Sequence, residues 1–340
     1  MVRAENGWAA EAVRELCADA RPTPLLRASG TAGETGSPGW TTELYVKDES
    51  AHPSGTLKHR LVRALLCEAI LDGAVREDMT VVMGTGGPAA VAGAYCAHRV
   101  GVPFVALVPA KTPPSVRESV ERHGGRWRIA TVPADLQEEA RGLAARLGGH
   151  FLDHFADSER AIARCPLPDL ARELFGQLAD TAASEPAWLV AGMGTGTTTA
   201  TLGRYASALG GDGSRPRVAG VDAEYSAYFP AWANGCADYT TGLPSAIPGL
   251  GRPRTEPAFR PELLDLVIPV GEEAAEDGLH WLRTEAAYGS EGGLGLATGA
   301  VGWAVRHLLT RMKESGAPGS VVMVAGERAP RSCSAASLQA

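Results

Sequence analysis

The sequence predicts an α/β fold of two lobes, each a parallel sheet with helices on both faces. Three observations predict it. Apolar runs alternate strictly with helical patterns, the strand candidates are apolar almost without interruption, and the alternation occurs twice. Uninterrupted apolar strands separated by helices are the signature of parallel sheets covered on both sides. The lobes are expected at 1–155 and 156–330, with 331–340 as a tail.

In the first half, "ELYVKDE" (43–49) reads as a strand and "LKHRLVRALLCEAILDG" (57–73) as a helix that Gly73 stops. Strands at 79–84, 103–109 and 126–132 then alternate with helices at 88–101, 113–125 and 134–149. The second half opens on a helix at 167–180, followed by strand 187–192, helix 197–210 and strand 217–223. Helices near 271–287 and 296–315 and a strand at 320–326 complete it. Residues 224–260, rich in Pro, Gly, Ser and aromatics, form a long irregular segment, and a loop of that length lines a site or an interface.

Composition narrows the function. The 340 residues are 45% hydrophobic and 21% charged, with a net charge of -7 and a pI near 5.7. No basic block interleaves with aromatics, which argues against nucleic acid, and "VPFVALVPA" (102–110) is too short to span a bilayer. The N-terminus lacks a signal-peptide core. The six cysteines form no C-x-x-C and no metal-like spacing, so free thiols in a reducing cytoplasm are expected.

The basic residues are four lysines, at 47, 58, 111 and 313, against 28 arginines. One lysine sits inside "AHPSGTLKHR" (51–60). Arginine holds its proton in a protein; a desolvated lysine can lose one and become a nucleophile. Ser54 or Thr56 can cap a helix beginning near Leu57, which puts Lys58 in its first turn. The helix dipole disfavours a cation there, and burial adds to the effect.

Two glycine turns join it. "GMGTGTTTATLGRY" (192–205) runs from a strand into a helix, and its amides at Gly194, Thr195, Gly196, Thr197 and Thr198 suit a phosphate; a plain β–α turn with threonine capping is the alternative. "MGTGGPAAVAGAY" (83–95) offers only Thr85 and the amides of Gly86 and Gly87, which suit a small carboxylate or merely make a turn. Together they describe a phosphate-bearing aldehyde held between lobes: aldehyde on Lys58, phosphate on 194–198, substrate carboxylate on 84–88. Pyridoxal phosphate has that shape and supplies an electron sink for amino-acid chemistry.

The same residues resemble a known family. "PSGTLKHR" resembles the P-[S/T]-G-[S/T]-x-K-x-R lysine motif of fold-type II pyridoxal-phosphate enzymes, such as cysteine synthase and cystathionine β-synthase. "RPTPLLRAS" (21–29), "GTGTTTATLGRY" and "GER" (326–328) resemble that family's opening, phosphate loop and C-terminal motif. "LDHFADSERA" (152–161) and "GLGRPRTEP" (249–257) look most like its cysteine desulfhydrase-like branch. The resemblance implies a tryptophan synthase β-like fold with Lys58 and the carboxylate loop on the N-terminal lobe and the phosphate loop on the C-terminal one. It implies a homodimer, and β-elimination or β-replacement on cysteine or a cysteine or serine derivative, with Lys58 as cofactor holder and Cα base.

Two departures stand out. Relatives place an Asn near Gly87 to reach the cofactor's phenolic oxygen, and residues 83–90 contain none. Relatives place a Ser or Thr before G-E-R for the ring nitrogen, where this chain has Val324 and Ala325. Two other readings stay open: a nicotinamide-dependent oxidoreductase using 192–222, with Asp222 on the ribose, and a catalytically weakened, non-enzymatic relative. His150 and His154 are four apart but lack a third metal ligand. Glu291 could border the cofactor or cap a helix. Tyr225, Tyr228 and Phe229 could line the pocket or an interface.

Overall fold

The structure is a computed structural model that describes residues 2–29, 42–131, 135–165, 167, 169–181, 185–210, 215–236, 238–243, 245–289 and 293–328. Glu291 and the 331–340 tail lie outside them. The strands are β1 (Leu25–Arg27), β2 (Leu44–Asp48), β3 (Val81–Gly84), β4 (Phe104–Val108), β5 (Arg126–Ile129), β6 (His150–Phe151), β7 (Trp188–Gly192), β8 (Arg217–Ala223), β9 (Leu266–Val270) and β10 (Val321–Ala325). The helices are α1 (Val2–Ala18), α2 (Lys58–Leu71), α3 (Pro88–Arg99), α4 (Pro114–Arg122), α5 (Leu136–Arg146), α6 (Ser158–Arg164), α7 (Leu170–Leu178), α8 (Thr197–Leu209), α9 (Tyr228–Ala233), α10 (Glu272–Thr284) and α11 (Leu296–Glu314).

The strands make two sheets, ordered β5-β4-β3-β6 and β1-β2-β10-β7-β8-β9. All pairings are parallel except β1 with β2. Alternation along β10 shows why its sequence is apolar throughout. Val321, Met323 and Ala325 enter the core under α10 and α11, while Val322 and Val324 enter the one under α7 and α8. The smaller sheet is covered likewise, by α1, α2 and α3 on one face and α5 on the other.

The sheets do not divide the chain at a single point. β2, expected with the first lobe, pairs with β10 from Leu44↔Val321 to Asp48↔Ala325 and belongs to the larger sheet. A boundary near 155 therefore separates the strands only from β3 onward. Three strands went unread in the sequence. β1 and β6 are too short to show a pattern, and β9 carries Pro269, tolerated because β9 is an edge. α9 was hidden by Pro230 inside "YFPAWA".

A buried charge network ties β2, α2 and α7 together. Arg60 donates to Glu49 through Nε at 2.6 Å and Nη2 at 2.9 Å, and to Glu173 at 2.9 Å. Lys47 Nζ donates to Glu173 at 2.5 Å, to Gln177 at 2.7 Å and to the Thr23 carbonyl at 2.7 Å. Despite burial, Arg60 and His52 hold the Glu49 carboxyl far below its usual range. This stability is complete above the ordinary carboxylate range and is lost as pH falls toward the depressed value. Removing one charge strands the other, at about 3–5 kcal/mol. Glu49→Gln is therefore expected to lower unfolding stability by about that amount in urea titrations at pH 7. A loss under about 1 kcal/mol would show that the network is slack.

Candidate active site

Adjacent strands deliver the site. In parallel sheets ligands gather at the carboxyl ends of strands. Here β2 leads into the turn before Lys58, β7 into turn 193–197, and β10, lying between them, into Gly326, Glu327 and Arg328. The Lys58 turn is pinned to the end of β10. Leu57 N–H donates to the Gly326 carbonyl at 2.7 Å, Arg328 N–H donates to the Gly55 carbonyl at 3.1 Å, and Thr56 bridges to Glu327. Neither expected residue caps the helix: the N-cap is Leu57, without a side-chain cap, while Thr56 Oγ1 accepts the Lys58 N–H at 3.2 Å and Ser54 contacts the His59 ring at 3.2 Å.

Lys58 opens α2. It is half-buried as a residue, but the protein packed around its amine lowers the pKa to about 8. Desolvation is the main cause; Glu327 opposes it and Arg252 adds to it. The amine lies against the glycine turn after β7: a Cβ added at Gly194 would stand 3.4 Å from Lys58 Nζ and 2.3 Å from the Gly249 carbonyl oxygen. Gly196 has φ +86°, and an added Cβ would meet Phe259 N at 2.8 Å. Glycine is thus needed at both positions, by contact at one and by contact and conformation at the other. Thr195 and Thr197 place their hydroxyls 2.9 Å apart at the start of α8. A shallow cleft beside them is lined by Lys58, Arg63, Thr195, Thr197 and Thr198, with Leu61, Ile162 and Leu170 as its apolar wall.

The other glycine turn comes from the smaller sheet. Thr85 N–H is held by the Leu107 carbonyl at 2.9 Å, and its hydroxyl accepts the Gly87 N–H at 3.4 Å. At Gly86 a Cβ would meet Thr112 Oγ1 at 2.2 Å. Gly249 joins the two turns: it packs against Gly194, and its amide nitrogen lies 3.9 Å from where a Cβ on Gly87 would stand. Residues 85–87, 194–198 and Lys58 therefore converge, with the irregular 224–260 segment bridging them. Tyr228, fully buried, donates its hydroxyl to the Gly194 carbonyl at 2.7 Å and supports the turn from behind. Tyr225 and Phe229 stay exposed.

Sequence reasoning passed over three neighbours of the amine. His154 is buried with Nδ1 unpartnered, its pKa lowered to about 3 by desolvation, Lys58 and Arg252. Arg252 bonds Glu256 at 2.8 Å and stacks over Phe155 at 4.0 Å. Glu327 is buried, and burial raises its carboxyl to about 7 against the lowering influence of Ala297 N–H and Lys58. "GER" drew attention to Glu327 only as a likeness, and His154 only as a weak metal candidate. Among the described residues no group of three or more His, Cys, Asp and Glu could hold a metal ion. His59 stacks on His52 at 4.7 Å, and His52 contacts Glu49 at 3.1 Å. Asp222 is spent on structure: its oxygens accept the Ala223 and Phe229 amides at 2.9 Å. That removes the ribose contact on which the nicotinamide reading relied.

The donor set fits pyridoxal phosphate: an amine of depressed pKa beside a turn of glycine amides and threonine hydroxyls at a helix start. A family model described as "Pyridoxal-phosphate dependent enzyme" matches residues 17–325, and the chain belongs to that family of enzymes, whose cofactor is pyridoxal phosphate. Over 333 residues, 96% of this chain and 87% of the relative, it is 36% identical to L-cysteine desulfhydrase Cds1 of Mycobacterium tuberculosis. It is 26% identical over 189 residues to cysteine synthase B of Pseudomonas aeruginosa, covering 54% of this chain and 58% of the relative. The crystal structure of O-ureido-L-serine synthase shares the fold, with TM-score 0.75 and 22% identity, over 92% of this chain and 91% of that one.

Gly194→Ala tests the turn. The added methyl overlaps the Gly249 carbonyl, so cofactor uptake, followed by absorbance, is expected to weaken at least about tenfold, equivalent to about 1.4 kcal/mol. Far-UV circular dichroism should be unchanged. Full cofactor content at wild-type affinity would move the phosphate elsewhere.

Proposed function

We propose that this enzyme catalyses β-elimination or β-replacement on cysteine or a cysteine or serine derivative, with desulfhydration of L-cysteine as the leading case. The observation that carries the reading is the Lys58 amine, lowered toward neutrality and packed against the Gly194 turn, in a chain alike over nearly its whole length to a cysteine desulfhydrase. When bound, pyridoxal phosphate supplies the electron sink for negative charge at the substrate Cα. The chain does the rest. Lys58 would hold the cofactor through its amine, and Nζ is the group that would take the Cα proton. The amides and hydroxyls of Gly194, Thr195, Gly196, Thr197 and Thr198 hold the phosphate. Thr85, Gly86 and Gly87 hold the substrate carboxylate. His154, neutral, limits the positive charge around the amine. For cysteine the balance is L-cysteine plus water giving pyruvate, ammonia and hydrogen sulfide; in replacement a second nucleophile takes the place of the sulfur.

A homodimer belongs to the proposal, supported by exposed Tyr225, Phe229 and Leu243 on the 224–260 segment. So does a reducing cytoplasmic setting, supported by five free cysteines among the described residues. No described helix is long and apolar enough to cross a membrane.

Borohydride reduction followed by peptide mapping should fix the cofactor to Lys58, and Lys58→Ala should abolish both labelling and pyruvate release from cysteine. Label on another lysine would sink the assignment. Stoichiometric label on Lys58 without turnover of any cysteine or serine derivative would leave a cofactor-binding protein and end the catalytic reading. The rate at which cofactor-free protein captures pyridoxal phosphate should follow the neutral amine, the form that grows as pH rises. It should climb about tenfold per unit between pH 6 and 7 and level off above about pH 8. A flat profile in stopped-flow absorbance would contradict an amine titrating there.

A further inference from the structure

We infer that Glu327 hydrogen-bonds the ring nitrogen of pyridoxal phosphate, the contact that Val324 and Ala325 cannot make. The inference rests on the placement of the cofactor at Lys58 proposed above.

Sheet order is the first argument. A cofactor joined to Lys58, after β2, and to the 194–198 turn, after β7, must lie across the carboxyl end of β10, the strand between them. Val324 and Ala325, at that strand's end, are buried and apolar. The next side chain able to hydrogen-bond is Glu327. Its backbone is clamped in place: Thr298 Oγ1 donates to the Glu327 carbonyl at 3.2 Å and accepts its N–H at 3.3 Å, while Thr56 bridges from the Lys58 turn.

Steric fit is the second. The carboxylate side chain packs on Gly295, the N-cap of α11. A Cβ there would fall 2.3 Å from Glu327 Cγ and 2.4 Å from Oε1. Any residue but glycine at 295 would expel the side chain from its present position.

Charge accounting is the third. A buried carboxylate needs a cation, hydrogen bonds or a proton. Other buried carboxylates have theirs: Glu49 has Arg60, Glu256 has Arg252, Glu68 has Arg160 and Arg164, and Asp222 has two backbone amides. Glu327 has the Ala297 amide and, as its charge partner, Lys58. A Lys58 nitrogen joined to an aldehyde would carry at most one N–H in place of three, so it would have less to offer Glu327. A protonated pyridine nitrogen restores the balance, and carboxyl and ring then share one proton. Burial, which raises the Glu327 carboxyl to about 7, brings it close enough to the ring nitrogen in proton affinity for such sharing.

The test uses pyridoxal phosphate labelled with nitrogen-15 in the ring, loaded into full-length wild type and Glu327→Gln. Borohydride mapping first confirms loading at Lys58. The wild-type nitrogen-15 resonance is expected at the protonated position at pH 7, and the Glu327→Gln resonance at the unprotonated one. The variant should also bind the cofactor roughly tenfold more weakly by absorbance titration, the fold-change for a lost charge-assisted hydrogen bond. Matching resonances in the two proteins would overturn the inference while leaving the Lys58 site intact. If the variant does not fold, the wild type decides alone: an unprotonated resonance throughout pH 6–9 overturns it. Failure of wild type to load at Lys58 overturns both the site and this inference.

Discussion

The site depends on keeping one amine out of water at the edge where three neighbouring strands end. An ammonium in bulk solvent is a poor nucleophile, and a lysine at a helix start already sits against the positive end of the dipole. This chain adds desolvation, with the amine packed beside Gly194, on which the Gly249 carbonyl lies. Parallel pairing makes this possible. β2, β10 and β7 run the same way, so their following turns arrive together rather than at opposite ends.

The long irregular segment is the second structural element of the site. Gly249 is wedged between the turns of the two sheets, and near the start of the same segment α9 carries Tyr228 to the Gly194 carbonyl. Residue 249 therefore has neighbours in the turns that follow both sheets. Asp222 anchors the start of α9 by accepting the Phe229 amide. An acid at the end of a strand suggested a ribose contact in sequence, but in three dimensions it holds the segment that shapes the site. Fold context decided between the two uses of one carboxylate.

Much of this was legible from residue patterns, because apolar period and glycine turns are local signals. β3, β4, β7, β8 and β10 announce themselves through buried runs, and the three turns that follow or precede them carry their own chemistry. Partnership was not local. Nothing in "ELYVKDE" says that β2 pairs with a strand more than 270 residues later, as Leu44↔Val321 does. For the same reason His154 and Glu327 could not be placed near Lys58 from spacing: they come from different elements and meet only when the sheets are assembled. Val324 and Ala325 read as a missing contact, although a carboxylate, Glu327, stands two residues further along the chain.

The scarcity of lysine was a sound signal, but it marked two residues rather than one. Lys47 is fully buried as a residue, and burial lowers its pKa as well. Yet its amine donates to Glu173, Gln177 and the Thr23 carbonyl, three acceptors for three N–H bonds. An ammonium so satisfied is held charged and immobile, and it braces β2 against α7. Arginine could not replace it there, because its planar fork does not match three convergent acceptors around one nitrogen. Lys58 has a single carboxylate within electrostatic reach, opposed by Arg252. Only Glu327 offsets desolvation at Lys58, and that difference in acceptors separates a structural lysine from a chemical one.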